Sequence, residues 1–302
     1  MNTSEPIKLI IDTDLGSDSD DVGALMVAHR LHQAGECELL AVTSSVSRSD
    51  SVAAIDVINR FYGADLPTGN VKNKRICEEN VHGKYSRALA FAYGSRYLRE
   101  QPEDAVRVIR RALSAADGRV RLVTIGPLVN IAGLLQSGAD DLSPLTGTEL
   151  VRDKVLDLYV MAGNFQGITN FYGYKFEAEC NAALSVEDSV YVAEHFPRSV
   201  VYSPFELGVQ ILTGERLLAG KDNPMKMAYY VFQSAPRESW DPVTVYMAIR
   251  GEREFIVRNE VTVRIDGRGI TSFTAGGKDK IATGFCDREK LRKELESLIS
   301  VP

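Results

Sequence analysis

The stretch Leu9-Ile10-Ile11-Asp12-Thr13-Asp14-Leu15-Gly16-Ser17-Asp18-Ser19-Asp20-Asp21 determines the interpretation of this sequence. An apolar, β-branched run leads into a glycine-containing turn and then into a helical pattern, which predicts a buried strand followed by a helix. Five carboxylates lie within the ten residues from Asp12 to Asp21. Two unit charges about 4 Å apart repel by roughly 4 kcal/mol at an effective dielectric constant near 20. The cluster therefore predicts a bound cation or protonated side chains.

The chemistry of this acidic cluster favours a divalent metal. Ligand sets made only of oxygen favour calcium or magnesium over zinc. In open α/β sheets, ligands bind in the crevice beyond the carboxyl ends of the strands, and the cluster follows such an end. The structural alternative is a solvated loop whose aspartates cap the helix at Val22. Five carboxylates behind a buried strand favour a divalent metal site.

Strand and helix patterns alternate along the chain. Strands are predicted at Lys8–Asp12, Glu38–Thr43, Val120–Ile125, Leu156–Met161 and Ser199–Tyr202. Helices are predicted at Val22–Gln33, Val52–Tyr62, Pro102–Ala116, Asn130–Gln136, Ser185–His195 and Leu291–Ile299. This order predicts an α/β fold with a mostly parallel central sheet flanked by helices. Near the C-terminus, two alternating runs flank Asp266-Gly267 and predict a small, peripheral antiparallel hairpin with a two-residue turn.

Length and composition limit the possible partners and locations. The 302 residues are 44% hydrophobic and show no linker-like composition shift, so we predict a single domain spanning residues 1–302. A net charge of −6 argues against a nucleic-acid partner. Neither a membrane-spanning apolar run nor a signal-peptide pattern is found, so we expect no membrane partner and a cytoplasmic location. The four widely spaced cysteines predict reduced thiols.

Four groups of segments, in order along the chain, carry acidic, amide and glycine residues at fixed spacings. They are Asp12-Thr13-Asp14-Leu15-Gly16 with Asp20-Asp21-Val22-Gly23-Ala24-Leu25, Thr124-Ile125-Gly126-Pro127-Leu128-Val129-Asn130-Ile131-Ala132, Met161-Ala162-Gly163 with Ala178-Glu179-Cys180-Asn181, and Ser239-Trp240-Asp241-Pro242. Together they resemble the inosine-uridine nucleoside hydrolase family over residues 8 to about 250. The acidic loop is two residues longer than in the best-known members, and Asp18 lies in the extra length.

The resemblance implies a calcium-dependent N-ribohydrolase that cleaves ribonucleosides into ribose and free base. The implied calcium ligands are Asp14, Asp21, Asp241 and the main-chain carbonyl of Val129. Asp14 would also accept a proton from the attacking water. The implied ribose ligands are Asp20, Glu179, Asn181 and Asp241. Trp240 stands where some members have His and resembles purine-preferring members, in which the base stacks at this position; the alternative is a Trp that packs in the core.

Departures from the family pattern leave alternatives open. Two asparagines of the family are replaced, by Gly173 and in the region of Ser47-Arg48. A second hypothesis is therefore a homologue that keeps the metal and binds a riboside without turnover. Asp12-Thr13-Asp14 also matches the D-x-D motif of haloacid-dehalogenase-type phosphatases, a minor alternative. Cys180, which replaces an aromatic residue, is expected to be a small buried thiol. Membership of the family would favour a homodimer or homotetramer.

Overall fold

A computed structural model of the chain describes residues 5–16, 18–72, 84–168, 170–171 and 174–301. The strands are β1 (Ile7–Thr13), β2 (Cys37–Ser44), β3 (Thr68–Asn70), β4 (Glu103–Asp104), β5 (Val120–Thr124), β6 (Val155–Met161), β7 (Asn170–Phe171), β8 (Tyr174–Lys175), β9 (Val200–Ser203), β10 (Leu212–Thr213), β11 (Arg237–Glu238), β12 (Phe255–Ile265), β13 (Thr271–Ala275) and β14 (Asp279–Phe285). The α-helices are α1 (Asp20–Gln33), α2 (Ser49–Phe61), α3 (Lys84–Tyr93), α4 (Ala105–Ala115), α5 (Val129–Gln136), α6 (Gly147–Lys154), α7 (Cys180–Leu184), α8 (Val186–His195), α9 (Phe205–Gly208), α10 (Glu215–Ala219), α11 (Pro224–Phe232), α12 (Trp240–Arg250) and α13 (Arg288–Leu298). Short 3-10 helices lie at Arg96–Leu98 and Glu252–Glu254.

Ten of the described strands form one sheet, in the order β13-β12-β14-β9-β6-β5-β1-β2-β3-β4. Every pairing from β4 across to β14 is parallel. β12 pairs antiparallel with both β13 and β14. The predicted α/β domain, with its mostly parallel sheet and small antiparallel hairpin, is confirmed.

Side chains of β1 alternate between two hydrophobic cores, one on each face of the sheet. Leu9 and Ile11 join the core formed with α1, α2, α12 and α13. Ile10 joins the core formed with α4, α5, α6 and α8. Because successive side chains of a strand point to opposite faces, this alternation places helices on both sides of the sheet. The layers leave the carboxyl ends of the parallel strands as a common edge.

The predicted hairpin is correct in type but differs in its turn. Ile265 pairs with Thr271, so the connection runs from Asp266 to Ile270 instead of the predicted two-residue turn. The Asp266 carboxylate accepts hydrogen bonds from the main-chain N–H groups of Arg268 (2.8 Å) and Ile270 (3.0 Å), which stabilises the longer loop. The hairpin lies at one edge of the main sheet and is continuous with it, because β12 pairs with β14 and β14 pairs in parallel with β9.

The helix predicted at Pro102–Ala116 begins later than expected. Glu103 and Asp104 form strand β4, and the Asp104 carboxylate caps α4 by accepting a hydrogen bond from the main-chain N–H of Arg107 at 3.2 Å. Pro102 therefore precedes the helix instead of lying in its first turn.

In the parts of the chain that the structure describes, no helix combines the length and apolarity needed to cross a bilayer. The domain boundary at residues 1–302 stays a prediction.

His29 on α1 is a buried histidine that makes folding stability depend on pH. Its ring stacks on Tyr62 with centroids 4.8 Å apart, and its Nε2 lies 2.8 Å from the Asn59 side-chain oxygen. Burial lowers the pKa of His29 to about 4. The folded state therefore favours neutral His29, and stability is lost as pH falls from the unfolded-state pKa near 6.5 towards 4.

Between about pH 7.5 and pH 4.5, we expect the free energy of unfolding to fall by about 2 to 3 kcal/mol less in His29→Gln than in the wild type. Urea denaturation at the two pH values measures this change. His195→Gln is the matched control, because His195 is exposed on α8. Equal pH dependence in the wild type and His29→Gln would contradict the assignment.

Candidate active site

The end of β1 is tied to its neighbours through Asp12. The Asp12 carboxylate accepts hydrogen bonds from the Thr43 hydroxyl (2.6 Å) and the Asn130 amide (2.8 Å). Asn130 also donates to the main-chain oxygen of Ser44 at 2.9 Å. Burial raises the pKa of Asp12 to about 7. These contacts fix the ends of β1 and β2 and the first turn of α5 relative to one another.

The acidic loop after β1 is fixed by two hydroxyl groups. Thr13 donates to the Asp21 carboxylate and accepts a hydrogen bond from the main-chain N–H of Leu15 at 3.1 Å. The Tyr85 hydroxyl, from α3, accepts from the Gly16 N–H at 2.7 Å and donates to the main-chain oxygen of Asp18. Gly16 has φ +121°, a conformation that favours glycine. The sequence carried no signal for the role of Tyr85.

Three carboxylates converge where α1 and α12 begin, two from the first turn of α1 and one from the first turn of α12. Oxygen atoms of Asp20, Asp21 and Asp241 all lie within 4.8 Å of one another, and the three residues are buried. Asp20 also accepts a hydrogen bond from the main-chain N–H of Asp241 at 3.1 Å. Burial, and then the neighbouring negative charges, raise the pKa of each carboxyl well above its usual range. The cluster concentrates negative charge at two helix N-termini, where the helix dipoles favour it.

The donor set of this cluster fits a hard divalent cation. Its ligand atoms are carboxylate oxygens, the type that calcium and magnesium prefer. In the same group, Oδ2 of Asp21 is buried and has no hydrogen-bond partner among the described residues. A buried polar atom without a partner is costly, so an ion at this position would satisfy it.

The converging group differs in part from the predicted calcium ligands. Asp20 belongs to the group of three, whereas Asp14 lines the adjoining cavity and lies outside that group. Val129 begins α5 and lines a second cavity, beside Val71 and Lys72. Calcium binding by Asp14, Asp21, Asp241 and the Val129 carbonyl stays a prediction.

A cavity of about 440 Å³ opens above the carboxylates. Its lining residues are Asp14, Asp18, Asp20, Ile125, Met161, Phe176, Glu179, Cys180, Asn181, Leu184, Phe205, Arg237, Trp240 and Asp241. The volume lies in the range of about 300 to 1,000 Å³ that is typical of small-ligand pockets. Most of the predicted site residues therefore meet in one cavity, with Asp21 in the carboxylate group beside it.

Glu179 and Asn181 are held in fixed orientations on the polar side of the cavity. The Glu179 carboxylate accepts hydrogen bonds from the main-chain N–H groups of Asn181 (2.7 Å), Ala182 (3.1 Å) and Gly163 (3.1 Å). Burial outweighs these bonds and raises the pKa of Glu179 to about 7. The Asn181 amide donates to the main-chain oxygen of Met161 at 3.0 Å. Both side chains are thereby fixed to the end of β6 and the turn that follows it.

Aromatic side chains form the other side of the cavity. Trp240 stacks on Phe205 with centroids 5.4 Å apart, and its Nε1–H donates to the main-chain oxygen of Phe205 at 2.9 Å. Gly208 packs so closely that a Cβ there would lie 2.3 Å from the Trp240 Cα. Cys180 is exposed, which corrects the expectation of a buried thiol.

Asp18 and Arg237 form an ion pair beside Trp240. Arg237 donates to the Asp18 carboxylate from Nε (2.9 Å) and from Nη2 (2.6 Å). Its guanidinium carbon lies 5.0 Å from the Trp240 ring centroid and 5.4 Å from that of Phe232. The sequence predicted no role for Asp18. In the structure it pairs with Arg237, which lies 219 positions away in the chain.

The altered family positions lie elsewhere or are not described. Arg48 immediately precedes α2, its Nε donates to the Asp50 carboxylate at 3.0 Å, and it does not line the cavity. Gly173 lies outside the described residues.

The fold and the cavity define an α/β enzyme that acts on a small polar ligand at the carboxyl edge of a parallel sheet. The family model of the inosine-uridine preferring nucleoside hydrolase matches residues 9–293, and the chain belongs to this family. Family membership makes it a hydrolase of N-glycosyl compounds.

Solved structures with the same fold cover almost the whole chain. The Inosine-Guanosine Nucleoside Hydrolase (IG-NH) is 23% identical with a TM-score of 0.76, covering 98% of this chain and 99% of its own. The inosine-uridine preferring nucleoside hydrolase from Bacillus anthracis is 17% identical with a TM-score of 0.74, covering 97% and 99%. The purine-preferring ribonucleoside hydrolase from Gardnerella vaginalis is 18% identical with a TM-score of 0.69, covering 97% and 98%. No curated protein sequence matches the chain significantly.

Proposed function

We propose that the chain is a calcium-dependent N-ribohydrolase that cleaves purine ribonucleosides into ribose and free base. The observation that carries the proposal is the convergence of Asp20, Asp21 and Asp241 beside a cavity with a polar side and an aromatic side. A nucleoside has the same division, since its sugar carries hydroxyl groups and its base is a flat aromatic ring.

Calcium suits the proposed site because it accepts six to eight oxygen ligands in flexible geometry. The proposed ligands are Asp14, Asp21, Asp241 and the main-chain carbonyl of Val129. When bound, the ion would lower the pKa of a water molecule and offset the repulsion between the carboxylates.

The proposed site residues have separate roles in catalysis and in sugar binding. Asp14 accepts the proton of a water molecule whose oxygen attacks the anomeric carbon, while the bond from that carbon to the base nitrogen breaks and the departing base takes up a proton from solvent. Surrounding carboxylates stabilise the positive charge that develops on the sugar ring. The ribose hydroxyls are held by Asp20, Glu179, Asn181 and Asp241.

The aromatic side of the cavity would receive the leaving base. Phe176, Phe205 and Trp240 line this part of the cavity and provide contact area and orientation for a flat ring. A purine, with two fused rings, gains more from this wall than a pyrimidine does. This difference supports the proposed purine preference.

A nucleoside panel tests the proposal. We expect reducing-sugar release from purine ribonucleosides, loss of that release in excess chelator, and recovery when calcium is restored. No release from any nucleoside at high enzyme concentration would contradict the hydrolase assignment. Nucleoside binding by calorimetry without turnover would then favour the binding-only homologue.

Two further expectations remain to be measured. The D-x-D phosphatase alternative requires Asp12 to attack a substrate, but Asp12 is 1% exposed and does not line the cavity. Absence of aryl phosphate hydrolysis is therefore expected.

The proposed homodimer or homotetramer is tested by light scattering of the purified protein.

A further inference from the structure

Arg237 differs in charge from the rest of the cavity wall. The lining contains five carboxylates, from Asp14, Asp18, Asp20, Glu179 and Asp241. Among the described residues that line it, Arg237 alone carries a positive charge. Its side chain is only 16% exposed, so the charge sits inside the wall. A buried charge of this kind is paired or serves a ligand.

The guanidinium is held firmly but keeps donors for a ligand. Arginine carries five N–H donors in a planar fork. Nε–H is shared by the two oxygens of Asp18, one Nη2–H goes to Asp18 and one Nη1–H goes to Glu238 at 2.8 Å. Phe232 and Trp240 pack against the guanidinium. One N–H on each terminal nitrogen therefore has no acceptor among the described residues and can serve a ligand.

We propose that Arg237 is a specificity-determining residue that selects 6-oxopurines, hypoxanthine and guanine, over adenine. This inference rests on the proposed function. A base that occupies the cavity meets Arg237, which lines it and whose guanidinium carbon is 5.0 Å from the indole centroid of Trp240. The O6 and N7 atoms of a 6-oxopurine are adjacent acceptors that match an arginine fork, whereas adenine presents an amino donor beside N7.

The same contact assists departure of the base. Electron density moves onto the base as the glycosidic bond breaks, and O6 and N7 of a 6-oxopurine share that charge. Donors aimed at charge that develops in the transition state accelerate a reaction more than donors that bind only the ground state. Arg237 is therefore expected to affect both kcat and KM for inosine.

Asp18 acts on the base through Arg237. It accepts hydrogen bonds from two of the guanidinium nitrogens, so it sets the plane of the fork. Asp18 is therefore a positioning residue.

Substitution of Arg237 tests the proposal. We expect Arg237→Gln to lower the ratio of kcat/KM for inosine to kcat/KM for adenosine by about tenfold or more. Arg237→Lys should behave similarly, since lysine lacks the fork. Asp18→Asn should shift the ratio in the same direction by less. Arg292→Gln, on the outer face of α13, is the control and should leave the ratio unchanged. An equal change for all nucleosides would overturn the proposal.

Free-base binding separates this inference from the proposed function. In calorimetry of the calcium-loaded protein, hypoxanthine should bind about tenfold or more tightly than adenine, and Arg237→Gln should remove the difference. This result in a protein without turnover would leave base selection intact while the hydrolase proposal fails. Turnover of all purine nucleosides with no base preference, or no binding of either base, would overturn the role of Arg237.

Discussion

Asp14→Asn is expected to lower kcat for inosine by about three orders of magnitude, because general base catalysis contributes about 10²- to 10⁴-fold. Asparagine matches aspartate in shape but cannot accept a proton. The surroundings of Asp14 are tightly packed, since a Cβ added at Gly126 would lie only 2.8 Å from the Asp14 main-chain nitrogen. A substitution that keeps the shape of aspartate is therefore the suitable test. Steady-state kinetics at saturating calcium, together with the thermal midpoint of unfolding, measure the effect.

Asp12→Asn is the matched control for this experiment. An asparagine at position 12 keeps the oxygen that accepts hydrogen bonds from Thr43 and Asn130. We therefore expect kcat within about tenfold of the wild type, with any loss appearing in stability. Loss of cleavage in Asp12→Asn combined with full activity in Asp14→Asn would reverse the assignment of the base.

The centre of the fold was predictable because buried parallel strands leave a strong sequence pattern. β1, β2, β5, β6 and β9 are apolar runs that end in polar or turn residues, and all five were predicted. Strand β3 and the edge strand β4 are three and two residues long, too short to show any periodicity. Helix α12 is buried along almost its whole length, so it lacks the amphipathic pattern that identifies a surface helix.

The site was predictable where one motif carries the chemistry. The acidic run after β1 and the later Glu179-Cys180-Asn181 segment were identified from residue types and from the family resemblance, and they meet at one cavity. Contacts made only by tertiary packing left no such signal. Tyr85 reaches the acidic loop from α3, and Arg237 pairs with a residue 219 positions away, so neither follows from local sequence.

The carboxylate group makes a prediction about stability that does not depend on turnover. In the absence of a cation, Asp20, Asp21 and Asp241 bring buried like charges together, which disfavours the folded state. Asp21→Asn removes one charge and keeps the oxygen that accepts the Thr13 hydrogen bond. In excess chelator we therefore expect this variant to unfold a few degrees above the wild type.

Calcium should reverse the order of stability between the wild type and Asp21→Asn. A ligand at a hundred times its Kd stabilises the folded state by about 2.7 kcal/mol, a gain that the wild type acquires and the variant loses with its ligand oxygen. Thermal unfolding of both proteins in chelator and in calcium measures the reversal. Asp222→Asn is the control, since Asp222 is 95% exposed before α11 and should respond to calcium as the wild type does. An equal calcium-dependent shift in Asp21→Asn and the wild type would exclude Asp21 as a ligand, because its carboxylate would then contribute nothing to binding the ion.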